Sequence, residues 1–264
     1  MNRRIASISI MAAILLSLSG DAFGDVSQKL ESFLSFFQAT LNTLQDTLQK
    51  GEDNSVDTDT IPENWFDDAI FIGDSQTGAL SIYNLVNGGL GKTLIFHVNG
   101  MSCHSLVNED RRISFNGRSC TIGEAVSLSG ASKVFLLLAM NDIGTMPDKD
   151  LEKCWETLID HIRADEPDAV LYIQSATPIR ANRETAWITK ENTDSYNKML
   201  KSFCKNNGCI YVDITDNLSD ESGYLKQEYC RDNLHLNNDG CAVWVENLKN
   251  PGSYTPSYKG KSGE

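Results

Sequence analysis

The sequence predicts an α/β domain, doubly wound around a mostly parallel five-stranded sheet with flanking helices. Three observations predict it. From residue 69 onward, short apolar runs alternate with stretches of helical periodicity, the pattern of strand–helix–strand units joined by right-handed crossovers. The run Lys133–Ala139 is almost continuously apolar, as a strand covered on both faces must be. Polar residues able to do chemistry follow the ends of these runs, and in such a sheet the carboxyl ends of the strands share one edge.

Taken in order, residues 1–24 have the form of a secretory signal peptide. Arg3 and Arg4 precede an apolar run from Ile5 to Leu18, and Ala22-Phe23-Gly24 offers small residues at the cleavage site. The run is short for a bilayer span, which needs about 20 residues, so an uncleaved anchor is the weaker alternative. No cysteine precedes Cys103, which argues against a lipoprotein anchor, and general secretion is the expected route. In residues 25–50, Val26, Leu30, Phe33, Phe37, Leu41, Leu44 and Leu48 fall on one helical face. That helix either docks on its own domain or serves partner binding or self-association. Residues 51–64, GEDNSVDTDTIPEN, are acidic and polar and read as a linker. The folded domain is therefore expected over 65–250, with 251–264 as a disordered tail.

The five strands are expected at 69–72, 93–98, 133–139, 169–173 and 209–213. Thr121-Ile122-Gly123-Glu124 has the form of a capping box at a helix start. Helical periodicity covers 148–164 and 191–207, the latter ending at Asn207-Gly208, a C-cap signature. A last helix is expected over 238–248, with Pro251 beyond it.

Bulk properties narrow the function. The 264 residues carry a net charge of −13 with 22% charged residues, which disfavours polyanionic partners. Without a basic run interleaved with aromatics, nucleic acid is not an expected ligand. The seven cysteines form no C-x-x-C pair, which disfavours zinc ribbons and thioredoxin-like redox chemistry. Cys230 and Cys241 flank His235, and a bridge between them would brace that segment.

The chemistry gathers at the strand ends. Gly73-Asp74-Ser75 follows the first strand, Asn99-Gly100-Met101-Ser102-Cys103 the second, and Met140-Asn141-Asp142 the third. Ser175-Ala176-Thr177-Pro178 follows the fourth and Asp232-Asn233-Leu234-His235 the fifth. Ser75, at a strand end and a helix start, is the candidate nucleophile, because free N–H groups there favour developing negative charge. His235 is its candidate base. Asp74 reads as a structural hydrogen-bonding residue and Asn141-Asp142 could be a plain turn. His97 reads as a packed strand histidine and His161 as a solvated one. His104 beside Cys103 is a weak thiol candidate, since adjacent side chains seldom face one another. Trp155, Trp187 and Trp244 read as core or pocket lining, with Trp187 placed where a substrate wall would stand.

These blocks resemble the SGNH hydrolases, also called the GDSL esterase/lipase family, over roughly residues 65–250. The resemblance rests on Gly73-Asp74-Ser75, Gly100 with its neighbours, Ala139-Met140-Asn141-Asp142 and Asp232-x-x-His235. It implies a flavodoxin-like three-layer sandwich and a serine esterase needing neither metal nor cofactor. It makes Ser75 the nucleophile, His235 the general base and Asp232 its orienting acid. The backbone N–H of Ser75, that of Gly100 or alternatively Cys103, and the Asn141 amide would form the oxyanion hole. Gln76 stands where the family usually has leucine, and Ala139 where it often has glycine. The expected reaction is hydrolysis of short acyl esters, such as acetyl groups on an extracellular glycan. Alternatives are an O-acyltransferase using the same triad, or a non-catalytic glycan-binding module.

Overall fold

The computed structural model describes residues 60–107 and 112–256. The expected signal peptide, the helix at 25–50, most of the linker and residues 257–264 of the tail lie outside the described residues. Strands β1 (Ala69–Gly73), β2 (Leu94–His97), β5 (Lys133–Leu137), β6 (Val170–Gln174) and β7 (Ile210–Val212) pair in parallel, in the order β2-β1-β5-β6-β7. All five lie within two residues of their expected bounds. The sheet has a sixth member: β8 (Tyr254–Thr255) adds antiparallel to β7, with Val212 opposite Tyr254. A separate hairpin, β3 (Ile113–Phe115) with β4 (Arg118–Cys120), was not expected either.

The domain also begins and ends outside its expected limits. Ile61 is 1% exposed and its N–H donates to the Lys249 carbonyl, so packing against the domain begins at residue 61, inside the stretch expected to be linker. Pro251–Ser253 forms a 3-10 turn that delivers Tyr254 into the interior. The inner end of the tail is therefore ordered structure.

Two layers of helix cover the sheet. On one face lie α3 (Ile122–Ser129), α4 (Asp148–Asp165) and α5 (Lys190–Asn207), whose Val126, Trp155 and Leu200 pack with Ile70, Ile72, Val134 and Leu136. A short helix, α2 (Cys103–Val107), packs on α4. On the other face, α1 (Ser75–Asn87) and α6 (Asn238–Lys249) supply Leu80, Trp244 and Leu248 against Phe71, Phe135 and Tyr172. This alternation along single strands is the period-two pattern of a sheet buried on both sides. Helix starts and stops follow local chemistry. Thr121 and Glu124 close the expected capping box on α3, each side chain accepting the other's backbone N–H. Gly208 ends α5 in the left-handed conformation, φ +65°.

Candidate active site

Strand β1 ends at Gly73, whose neighbours leave no room for a side chain. A Cβ there would lie 2.5 Å from the Leu137 carbonyl oxygen. Asp74 then caps α1, its Oδ1 accepting the Gln76 N–H at 2.9 Å. Ser75 is thereby held at the first position of a helix, where its own N–H has no intrahelical acceptor.

His235 comes from the far end of the chain on a loop that folds back on itself. Cys230 and Leu236 form an antiparallel bridge. The Arg231 N–H donates to the His235 carbonyl at 2.8 Å, and the Asn237 N–H to the Tyr229 carbonyl at 3.0 Å. Asn233 at the tip takes φ +69°, a conformation that asparagine tolerates better than most residues. Backbone hydrogen bonds thus brace this segment without the Cys230–Cys241 bridge that the sequence left open, and all seven cysteines are free thiols.

The two stretches meet. Ser75 Oγ lies 2.8 Å from His235 Nε2, and His235 Nδ1 lies 3.0 and 2.9 Å from the two carboxylate oxygens of Asp232. With its proton on Nδ1, the ring donates to Asp232 and leaves Nε2 to accept from the serine hydroxyl. Asp232 Oδ1 also accepts the backbone N–H of His235 at 2.9 Å and of Leu234 at 3.3 Å. Partial burial works against the charge on Asp232, but the hydrogen bonds and charge of His235, with the Leu234 N–H, outweigh it and hold the carboxyl at about 2. The carboxyl beside His235 is therefore ionised at neutral pH.

The remaining sequence candidates sit at the same edge with unequal involvement. Asn141 Nδ2 donates to the Met101 carbonyl at 3.0 Å and to Asp74 Oδ2 at 3.2 Å, which ties it to the residues beside Gly100 and Ser75. Gly100 occupies an exposed turn after β2 with φ +77°, and among the described residues its N–H has no hydrogen-bond partner. The alternative at Cys103 is different: its N–H is consumed by Asp142 Oδ2 at 2.7 Å. Asp142 also accepts from the His104 N–H, so it is a buried post under the second block rather than a simple turn residue. Burial pushes its carboxyl up. Burial, with the nearby Asp142 charge, likewise pushes Asp74 up to about 6, against the pull of the Gln76 N–H and His235.

Burial also drives the Cys103 thiol well above its ordinary range, which removes it as a nucleophile at neutral pH. His97 is exposed on the edge strand with its ring against Gly78, not packed inside. His161 is exposed as expected. Trp155 and Trp244 are core residues, whereas Trp187 is 66% exposed and stands free of the core. Its backbone carbonyl packs on Gly144, three residues beyond Asn141.

One residue in the site escaped the sequence reading. Gln76, noted there only as a departure from the family's usual leucine, is buried beside Ser75 and hydrogen-bonded to the backbone on both sides of His235. Those two partners are main-chain atoms at sequence separations of 158 and 160, and no motif encodes such a contact.

A family model for GDSL-like lipases and acylhydrolases matches residues 99–243, more than half of the chain. The chain belongs to this family. It is a GDSL-type serine ester hydrolase, with Gly100, Asn141, Asp232 and His235 inside the matched span and Ser75 joined to it through His235. Solved structures share the fold at low identity. A protein from Streptococcus pneumonia, provisionally named for platelet activating factor, is 20% identical with TM-score 0.55, covering 84% of this chain and 97% of its own. A GDSL-like lipase from Bacteroides thetaiotaomicron is 15% identical with TM-score 0.53, covering 71% and 88%. The acetyl xylan esterase AlAXEase is 15% identical with TM-score 0.51, covering 68% and 96%. Comparison with curated proteins gave no match.

Proposed function

We propose that this GDSL hydrolase is exported and removes short acyl groups, acetyl first among them, from an extracellular glycan through an acyl-serine intermediate. The observation that carries the reading is the unbroken hydrogen-bond chain from Ser75 Oγ through the His235 ring to Asp232. His235 Nε2 takes the hydroxyl proton as Ser75 Oγ attacks the ester carbonyl, and Asp232 stabilises the imidazolium that results. The carbonyl oxygen becomes an oxyanion beside the Ser75 N–H, with the Gly100 N–H and the Asn141 amide as the further donors. Collapse expels the alcohol, which takes its proton from His235. Water then attacks the acyl-serine with His235 again as base, releasing the carboxylic acid and restoring Ser75.

Several features support the substrate class. Asp232 is about half exposed at the edge of the site, and an exposed Trp187 indole stands on the loop packed against Gly144. Both suit a polar, bulky alcohol such as a sugar more than a buried lipid tail. An acetyl xylan esterase among the fold neighbours sets the ester to try first. The apolar leader at residues 5–18 supports export.

The test is acetate release from p-nitrophenyl acetate and from acetylated xylan by the full chain and by Ser75→Ala. The serine-deleted protein, equally folded, should lose at least about 10⁴-fold in kcat. Equal rates in both proteins would remove Ser75 as nucleophile. One equivalent of nitrophenol followed by near silence would replace the hydrolase reading with a transferase awaiting an acceptor.

A further inference from the structure

We propose that Gln76 is a positioning residue that sets His235 against Ser75, an assignment that rests on the triad reading above. Gln76 directly follows the nucleophile in the first turn of α1, and it is 1% exposed. Its side-chain amide reaches across the site to the other half of the catalytic pair. Nε2 donates to the Leu234 carbonyl at 2.8 Å, and Oε1 accepts the Leu236 N–H at 3.3 Å. These are the carbonyl before His235 and the N–H after it. One planar amide therefore grips the backbone on either side of the base, as a neighbouring parallel strand would. The second Nε2 hydrogen goes to Thr177 Oγ1 at 3.2 Å, at the end of β6, which fixes the amide's own orientation.

The rest of the loop explains why such a grip matters. His235 stands on a turn exposed from Arg231 to Asn233, and its own braces, Cys230 to Leu236 and Arg231 to His235, tie the loop only to itself. Asp232, the acid that orients the ring, rides on the same turn. Nothing in those contacts registers the loop against β1 and α1. The Gln76 amide does, one residue from the serine. A leucine here, as the family usually has, would fill the space but leave the Leu234 carbonyl and the buried Leu236 N–H without these partners. A displacement near 1 Å between base and nucleophile lowers the rate about 100-fold.

The experiment uses Gln76→Met in the full chain, which keeps the side chain's length and removes all three hydrogen bonds. With kcat for p-nitrophenyl acetate expressed per active site titrated by a fluorescent organophosphonate, it should fall about 10- to 100-fold. KM should move by less than about twofold, the signature of a defect in the chemical step. Amide hydrogen exchange at Leu236 should accelerate, also in a Ser75→Ala background where no catalysis is read. Unchanged kcat per titrated site in Gln76→Met, whatever the exchange at Leu236, would overturn the proposal, as would unchanged Leu236 exchange. Should Gln76→Met not fold, Thr177→Val frees only the outer end of the amide and should lower kcat about two- to fivefold; no loss there would overturn the assignment too. An inactive wild-type chain with a protected Leu236 would count against the esterase reading and not against the grip itself.

Discussion

Asn141 shows what a single side chain does at this strand edge. Both hydrogens of its amide nitrogen are engaged, one by the Met101 carbonyl and one by the Asp74 carboxyl. The amide is thus oriented between the first and second blocks, and the oxyanion proposed beside Ser75 would compete for a donor already held in place. Replacing Asn141 by Ala should lower kcat on p-nitrophenyl acetate about 100- to 1,000-fold with little change in KM. If kcat holds while thermal stability drops, Asn141 is a brace between strands and the oxyanion assignment is lost. The meeting of Ser75, Asp232 and His235 was legible because the three sit in short local signatures, Gly73-Asp74-Ser75 and Asp232-x-x-His235, each at a strand end or turn. Gln76 and Asp142 were not legible in their roles. Both act on backbone atoms of other segments, Leu234 and Leu236 in one case and Cys103 and His104 in the other, and side-chain type alone does not disclose such partners.

At the scale of elements, the parallel strands register through a ladder of aromatic rings. Phe71, Phe135 and Tyr172 are direct neighbours across β1, β5 and β6, and their rings stack at centroid distances of 4.4 Å with 8° between planes. Trp65 meets Phe135 and Tyr172 edge-on, and Tyr254 closes the far side of Tyr172 at 6.0 Å. Phe135 is the middle rung, so Phe135→Ala should cost about 3–5 kcal/mol in urea unfolding, the range for truncating a buried phenylalanine. A loss below about 1 kcal/mol would mean that the neighbouring rings close over the cavity. The ladder also explains which elements the sequence hid. The five central strands announced themselves as apolar runs, but β8 is two residues long inside a Gly-, Ser- and Pro-rich tail. Its composition reads as disorder, and only the burial of Tyr254, 3% exposed, makes it a strand. The β3–β4 hairpin, with three residues a side around Asn116-Gly117, is likewise too short for period-two alternation to register.

At the scale of the whole molecule, the buried charge of the site is set against stability. Asp74 has its carboxyl raised from 3.8 to about 6, first by burial. Between those two values the folded chain binds more protons at Asp74 than the unfolded chain does. Its contribution to stability therefore falls as pH rises through that window and is flat above it. Asp232 has the opposite sign: held at about 2 when folded, it contributes stability that is present above about pH 4 and is lost as acid brings the pH down through 2. Asp74→Asn separates the two, since asparagine caps a helix about as well as aspartate and leaves Asp232 untouched. The substitution alters the contact with Asn141 by an amount that does not depend on pH, so the diagnostic is the slope and not the offset. Urea unfolding of wild type and Asp74→Asn should show the variant gaining on wild type by about 2 kcal/mol between pH 4 and pH 7. A difference that stays level across that range would mean that Asp74 is ionised at no special cost in the fold.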